Sequence, residues 1–284
     1  MTMVNANGAA LPALGFGTHG MQRGEMLRMI PAALKAGFRH IDTAQVYGNE
    51  AEVGECAAAS GIARGDLFLT TKVWSANYAR RDFARSVDES LERLHTDYVD
   101  LLLLHWPGGS NVPLAEQIEG LNDAVQAGKA RHIGVSNFNA VQLREAARLS
   151  TAPLVTNQVE YHPYLNQAPL IAATRELGMA VTAYCAMAVG RVFDEAVLQR
   201  VAADHRRTVA QVVLRWLVQQ EGVVTLSRTT SVDRLAGNLA VFDFALSQAE
   251  MSEIHALAAD HSRIVSPSGL SPVWDPTPPI RADR

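Results

Sequence analysis

Short apolar runs alternate with longer stretches of helical period along the whole chain. The runs are Leu14–Thr18, Phe38–Asp42, Leu67–Lys72, Val99–His105, His132–Ser136, Leu154–Gln158, Ala180–Tyr184 and Val223–Ser227. Each has the length of a strand. Several are rich in valine, leucine and isoleucine without polar alternation, which is how parallel strands covered on both faces read. Between them, Met26–Ala36, Arg80–Leu94, Pro113–Ala127, Ala140–Leu149, Pro169–Leu177 and Val209–Gln219 carry apolar residues at helical spacing. Gly37, Gly61, Gly128, Gly178 and Gly222 stand where a left-handed residue closes a helix. Strands that are each followed by a helix, eight times over, predict the α/β class and a closed (β/α)8 TIM barrel. The rival is an open doubly wound sheet. That fold wants a glycine-rich phosphate turn after its first strand, which Gly15-Phe16-Gly17-Thr18-His19-Gly20 only half supplies.

No linker, low-complexity tract or charge block divides the chain, so residues 1–284 read as a single barrel domain. An Asn7-Gly8 pair within Val4–Ala9 predicts a short N-terminal hairpin ahead of the first strand. From His261 to Arg284 the periodicity is lost and five prolines appear. That predicts an irregular C-terminal tail lying over the barrel mouth, with a disordered tail equally compatible.

With 48% apolar residues the chain has the material for a sizeable core. Twenty-five basic residues face 29 acidic ones, net −4, with no basic stripe, so neither nucleic acid nor an anionic membrane is expected as partner. The most apolar run, Val99–Leu104, is too short to span a bilayer. Met1–Ala10 has no positive region leading into an apolar stretch, so no signal peptide is expected and the location read is cytoplasmic. Cys56 and Cys185, the only cysteines, lie far apart and indicate neither a disulfide framework nor a Cys-x-x-Cys zinc site.

In such a barrel, chemistry gathers at the C-terminal ends of the strands. Asp42, Lys72 and His105 end three consecutive apolar runs, and Tyr47 follows Asp42 in the loop. Singly, each has a plainer reading: a helix cap, its surface partner, a satisfied core histidine and a rim aromatic. Together they point to one site, because burying an aspartate and a lysine is unfavourable unless they pair. The chemistry suggested is proton delivery to a carbonyl. A lysine ammonium beside a tyrosine favours the phenolate, an aspartate holds the lysine charged, and a neutral histidine orients the carbonyl oxygen. The nine histidines form no metal-ligand cluster, so no metal is expected and an organic cofactor is the expected hydride source.

Gly37-Phe38-Arg39-His40-Ile41-Asp42-Thr43-Ala44 through Tyr47-Gly48-Asn49-Glu50 resembles the first signature of the aldo-keto reductases. Asp97–Leu101 through His105-Trp106-Pro107, then Gly134–Phe138 and Asn157-Gln158, resemble further stretches of that family in the same order. Within the family the likeness is to bacterial 2,5-diketo-D-gluconate reductases, the segment Ser262–Pro267 through Trp274-Asp275 included. The resemblance implies an NADPH-dependent reductase of small aldehydes and ketones, dicarbonyls and keto-sugars among them, working as a monomer. It implies Tyr47 as the acid, tuned by Lys72 and Asp42, with His105 orienting the substrate. Ser136, Asn137 and Gln158 would bond the nicotinamide carboxamide, Tyr184 would stack on its ring, and Gly17 and Thr18 would lie beneath. Arg228 and Arg234, flanking Thr229 and Thr230, would hold the adenosine 2′-phosphate, and Asn238 would face the adenine. His19, Val46, Trp74 and Trp106, with Trp274 from the tail, would wall the substrate pocket.

The chain departs from the family pattern in four places. Arg228 stands where lysine is usual, after Thr225-Leu226-Ser227, and Gly237 replaces a carboxylate. Cys185-Ala186-Met187-Ala188 replaces Ser-Pro-Leu, and His19 replaces an aromatic residue of the pocket. Two other functions fit the residues. One is a Schiff-base aldolase on Lys72, disfavoured because Asp42 would raise the lysine pKa. The other is an NADPH-binding sensing module with little turnover.

Overall fold

The computed structural model describes residues 2–259 and 262–276. Its strands are β1 (Met3–Ala6), β2 (Ala9–Pro12), β3 (Leu14–Gly17), β4 (His40–Asp42), β5 (Phe68–Val73), β6 (Val99–Leu104), β7 (Ala130–Ser136), β8 (Leu154–Glu160), β9 (Ala180–Tyr184) and β10 (Val223–Ser227). The helices are α1 (Arg23–Ala36), α2 (Glu50–Ala59), α3 (Arg80–Arg93), α4 (Leu114–Gln126), α5 (Ala140–Leu149), α6 (Ala168–Glu176), α7 (Ala196–His205), α8 (Val209–Val218), α9 (Asp233–Leu239) and α10 (Gln248–His255). Strands β3 to β10 close into one parallel barrel in chain order, β10 pairing back onto β3. The expected (β/α)8 barrel is therefore the fold, and the open-sheet rival is excluded by closure.

The unalternating runs have a direct cause. In β6, Leu101 and Leu103 point into the barrel, while Leu102 and Leu104 pack outward in the larger core between strands and helices. Both faces are dry, so every position is apolar except Asp100, whose carboxylate accepts from the Leu69 N–H (2.9 Å) and pairs with Arg64 (2.8 Å). The helices start and stop as their ends require. Asn139 accepts from Gln142 N (2.8 Å) to begin α5, and Gly37 ends α1 at φ 117°.

Below the barrel, β1 and β2 form the expected hairpin, with Ala6 opposite Ala9 and both turn residues left-handed (Asn7 φ 44°, Gly8 φ 85°). Asn7 also donates to Leu154 O (2.7 Å) and Leu177 O (2.9 Å), tying the hairpin to β8 and to the end of α6. Ala6, Ala9 and Leu11 plug the barrel floor against Leu101, Leu103, Val155, Ala180 and Val224. With the floor sealed, the strand C-termini form the working end.

The tail between Ser262 and Pro276 is irregular, as expected, and is pinned across that end. Ile264 N and Val265 N donate to the Glu160 carboxylate (2.7 and 2.8 Å), Gly108 N donates to Leu270 O (3.0 Å), and Ala140 N donates to Asp275 (2.9 Å). The rest of the expected tail, His261 and 277–284, lies outside the described residues. Among the described residues, no helix is long and apolar enough to cross a membrane.

Candidate active site

Three strand ends and the turn after the first of them bring the expected residues together. Asp42 closes β4, Lys72 is the penultimate residue of β5, and His105 follows β6 directly. Tyr47, expected in a loop, is carried by a single 3-10 turn, Gln45–Tyr47, that leads from β4 towards α2. Lys72 is completely buried and its Nζ donates to Asp42 Oδ1 (2.6 Å) and Thr43 O (2.8 Å). The ammonium lies 5.1 Å from the centre of the Tyr47 ring, which meets His105 edge-on at 5.6 Å.

The electrostatics follow from burial. Desolvation lowers the Lys72 pKa, and the Asp42 charge and hydrogen bond oppose that shift. Burial also depresses His105 well below the ordinary histidine range, with the Lys72 charge adding to it, so its imidazole is neutral at pH 7. Its Nδ1 is buried without a hydrogen-bond partner among the described residues. For Tyr47 the outcome differs from the expected lowering. Burial first, then the Asp42 charge, hold the phenol above its ordinary range. At rest Tyr47 is therefore a neutral O–H donor. The ammonium's preference for phenolate comes into play only as that proton leaves.

The residues expected around the nicotinamide converge on the same mouth. Gln158 donates Nε2 to Asp42 Oδ2 (2.7 Å), which leaves its Oε1 free to accept. Ser136 Oγ donates to Gln158 O (2.8 Å). Asn137, left-handed at φ 65°, donates Nδ2 to His105 O (3.0 Å) and accepts from the Tyr184 hydroxyl (2.7 Å). Asparagine tolerates that backbone region better than most residues. Thr18, fully buried, donates Oγ1 to Asp42 O (2.9 Å), and Gly17 pairs with Asp42 across the β3–β4 ladder.

At the end of β10 the picture is mixed. Arg228 and Arg234 are exposed, and no ion pair engages either among the described residues. A Cβ built on Gly20 would lie 3.9 Å from the Arg228 guanidinium, so Arg228 reaches the loop after β3. Thr229 is buried and its hydroxyl accepts from Ser231 N (3.1 Å), so that group serves its own turn. Asn238 donates to Ser227 Oγ (2.9 Å). Two exposed guanidiniums without an ion pair are suited to a phosphate.

Of the expected pocket wall, His19 meets Tyr47 (4.8 Å between ring centres), Trp74 meets His105 (5.5 Å), and Trp106 stacks on His105 (6.5 Å). Val46 is exposed beside Tyr47. Trp274, from the tail, carries Arg263 3.6 Å over its ring and donates Nε1 to Ser266 Oγ (3.0 Å). Sequence reasoning missed Glu160. This fully buried carboxylate at the end of β8 holds the tail and His162 (2.9 Å). Its signal was available, since it is a charged residue ending an apolar strand, like Asp42.

The family model described as Aldo/keto reductase family matches residues 13–259. A solved structure provisionally described as a 2,5-diketo-D-gluconic acid reductase B is 58% identical, covering 97% of this chain and 98% of that one at a TM-score of 0.96. Methylglyoxal reductase DkgB of Salmonella typhimurium is 38% identical over 93% of this chain and 99% of its own. The Bombyx mori aldo-keto reductase, solved in complex with NADP, is 34% identical over 93% and 94% of the two chains, at a TM-score of 0.87.

Proposed function

The chain belongs to the aldo/keto reductase family, a family of carbonyl-reducing oxidoreductases, and on that premise we propose that it is an NADPH-dependent reductase of small aldehydes and ketones, including dicarbonyls and keto-sugars such as 2,5-diketo-gluconate. One observation carries this reading: a fully buried lysine, paired to Asp42 at 2.6 Å, lies 5.1 Å from the ring of a tyrosine that is protonated at rest.

NADPH, when bound, supplies the hydride. Gln158 Oε1, Ser136 and Asn137 are the polar groups available to its carboxamide, and Tyr184 is the ring platform. The unpaired Arg228 and Arg234 are the groups available to its 2′-phosphate. The NADP complex of the Bombyx mori relative supports that choice of cofactor.

The chain's own residues handle the proton. His105, neutral, donates one hydrogen bond to the carbonyl oxygen and aligns it. Tyr47 transfers its hydroxyl proton to that oxygen as negative charge develops there. The phenolate left behind is stabilised by the Lys72 ammonium, which Asp42 keeps charged in a dry site. Trp74 and Trp106 flank His105 and exclude water from the exchange.

The test is NADPH oxidation at 340 nm with a panel of aldehydes, dicarbonyls and keto-sugars, repeated with NADH and with Tyr47→Phe. The expected result is NADPH-favoured turnover, lost in Tyr47→Phe with cofactor affinity retained. Turnover by that variant at the wild-type rate would overturn Tyr47 as the acid. NADPH binding by the native protein without turnover of any substrate would make it a sensing module instead.

A further inference from the structure

Among the described residues whose rings or charges meet the Tyr47 ring, His19 is the one that the proton-delivery scheme leaves unused. It follows β3, is exposed at the mouth, and sets its ring edge-on to the phenol at 4.8 Å. The same phenol meets His105 at 5.6 Å and the Lys72 ammonium at 5.1 Å. These three neighbours are not equivalent. Lys72 is sealed from solvent, with its hydrogen bonds directed to Asp42 and Thr43. His105 is committed to the reacting oxygen. His19 has no hydrogen-bond partner among the described residues on either ring nitrogen. Partial burial, then the Lys72 and Arg228 charges, lower its pKa, so at neutral pH it is an uncharged imidazole with one free N–H.

We propose that His19 is a specificity-determining residue that donates a hydrogen bond to an oxygen on the carbon next to the reacting carbonyl. The preferred substrates are then vicinally oxygenated carbonyl compounds, 1,2-dicarbonyls and 2-keto-sugars, over simple alkanals. This rests on the reductase reading above. With the reacting oxygen held between Tyr47 and His105, an oxygen one carbon away must fall among the other groups around the phenol. Of the two described rings that meet the phenol, His19 is the one whose donor is not already assigned. An alkanal presents a methylene at that position and leaves the imidazole without a partner. A site that offers a hydrogen bond discriminates against an analogue that lacks the acceptor. A phenylalanine at this position would contribute surface alone. The exchange for histidine adds a donor to the same wall.

The test uses two substrates of equal chain length, methylglyoxal and propanal, which differ by the oxygen on the second carbon. Concentrations are taken as free, unhydrated aldehyde and NADPH is saturating. Wild-type kcat/KM is expected to favour methylglyoxal. His19→Phe is expected to lower the methylglyoxal-to-propanal ratio about tenfold, the value of one hydrogen bond. His19→Gln, which keeps an N–H donor, should bring the ratio back to within about threefold of wild type. A wild-type ratio near one, or an equal loss on both substrates in His19→Phe, overturns the inference and leaves the reductase reading standing. Turnover of neither substrate, nor of any other carbonyl in the panel, overturns both.

Discussion

The Lys72–Asp42 pair is an ion pair buried on both sides, and Lys72→Met isolates it. Methionine has nearly the shape of the lysine stem, so the change removes the ammonium while largely filling its space. Two hydrogen bonds vanish, to Asp42 Oδ1 and to Thr43 O. Asp42 stays 2% exposed, its charge met only by the Gln158 amide at 2.7 Å. An uncompensated buried carboxylate destabilises by about 3–5 kcal/mol. For a chain of this length that lowers the melting temperature by roughly 6–15 °C. Adding Asp42→Asn to the same variant removes the stranded charge and should recover at least half of the loss. Neither variant should reduce a carbonyl, because no ammonium remains to stabilise the Tyr47 phenolate. Thermal melts at pH 7 followed by circular dichroism, with NADPH oxidation on the same samples, read both quantities. A single variant melting within about 1 °C of the native protein would mean that Asp42 is neutral or solvated, and the reasoning from burial would fail.

Arg228→Ala should weaken NADPH by about ten- to a hundredfold and leave NADH within a few-fold, read by fluorescence titration; equal losses would place the phosphate site elsewhere. Glu160→Gln removes the charge that receives Ile264 N and Val265 N, so amide exchange at those residues should accelerate about tenfold or more. Unchanged exchange would show that Asp275 and Gly108 suffice to hold the tail. His40 is buried with Nδ1 unpartnered, and burial lowers its pKa from 6.5 to about 4. Below pH 6.5 the unfolded chain binds a proton that the folded chain refuses until about pH 4. Stability from this group is therefore full above pH 6.5 and is lost as the pH falls through that window, by up to about 3 kcal/mol. Urea unfolding at pH 7 and pH 4.5 measures the slope. His40→Gln should reduce it by one proton's share, and an unchanged slope would refute the assignment.

Much of the fold was legible because parallel strands buried on both faces cannot hide in a polar background. Ala180–Tyr184 and Val223–Ser227 match β9 and β10 to the residue. Asp42, Lys72 and His105 were legible as neighbours for the complementary reason, since a polar side chain at the end of a dry strand needs an explanation, and Tyr47 followed from its place just after Asp42. What escaped depends on partners far away in sequence. β8 was read only to Gln158, yet it runs to Glu160, which pairs with Tyr184 and takes the tail amides from 104 and 105 positions away. The Arg263–Trp274 contact is set by how the tail is pinned, and local pattern carries no trace of that. The Tyr47 pKa was read from the Lys72 charge, whereas desolvation, a property of the folded mouth, and then the Asp42 charge raise it.

The mouth behaves as one hydrogen-bonded unit. Each Asp42 oxygen has its own donor, Lys72 on one side and Gln158 on the other. Gln158 O accepts from Ser136 Oγ and from the Asn137 backbone, and Asn137 in turn fixes both the Tyr184 hydroxyl and the His105 carbonyl. Because the Gln158 Nε2 faces a carboxylate, its Oε1 is the end left over. The negative charge on Asp42 therefore sets which way that amide points. An Asp42→Asn change alone alters two things at once: it loosens the hold on Lys72, and it offers Gln158 a partner that can donate as well as accept, so the amide is free to turn over. On the proposed mechanism, the group that tunes the acid is thus also the group that orients the amide offered to the cofactor. In such a network single substitutions do not divide into catalytic and binding effects, and pairs of them will not add.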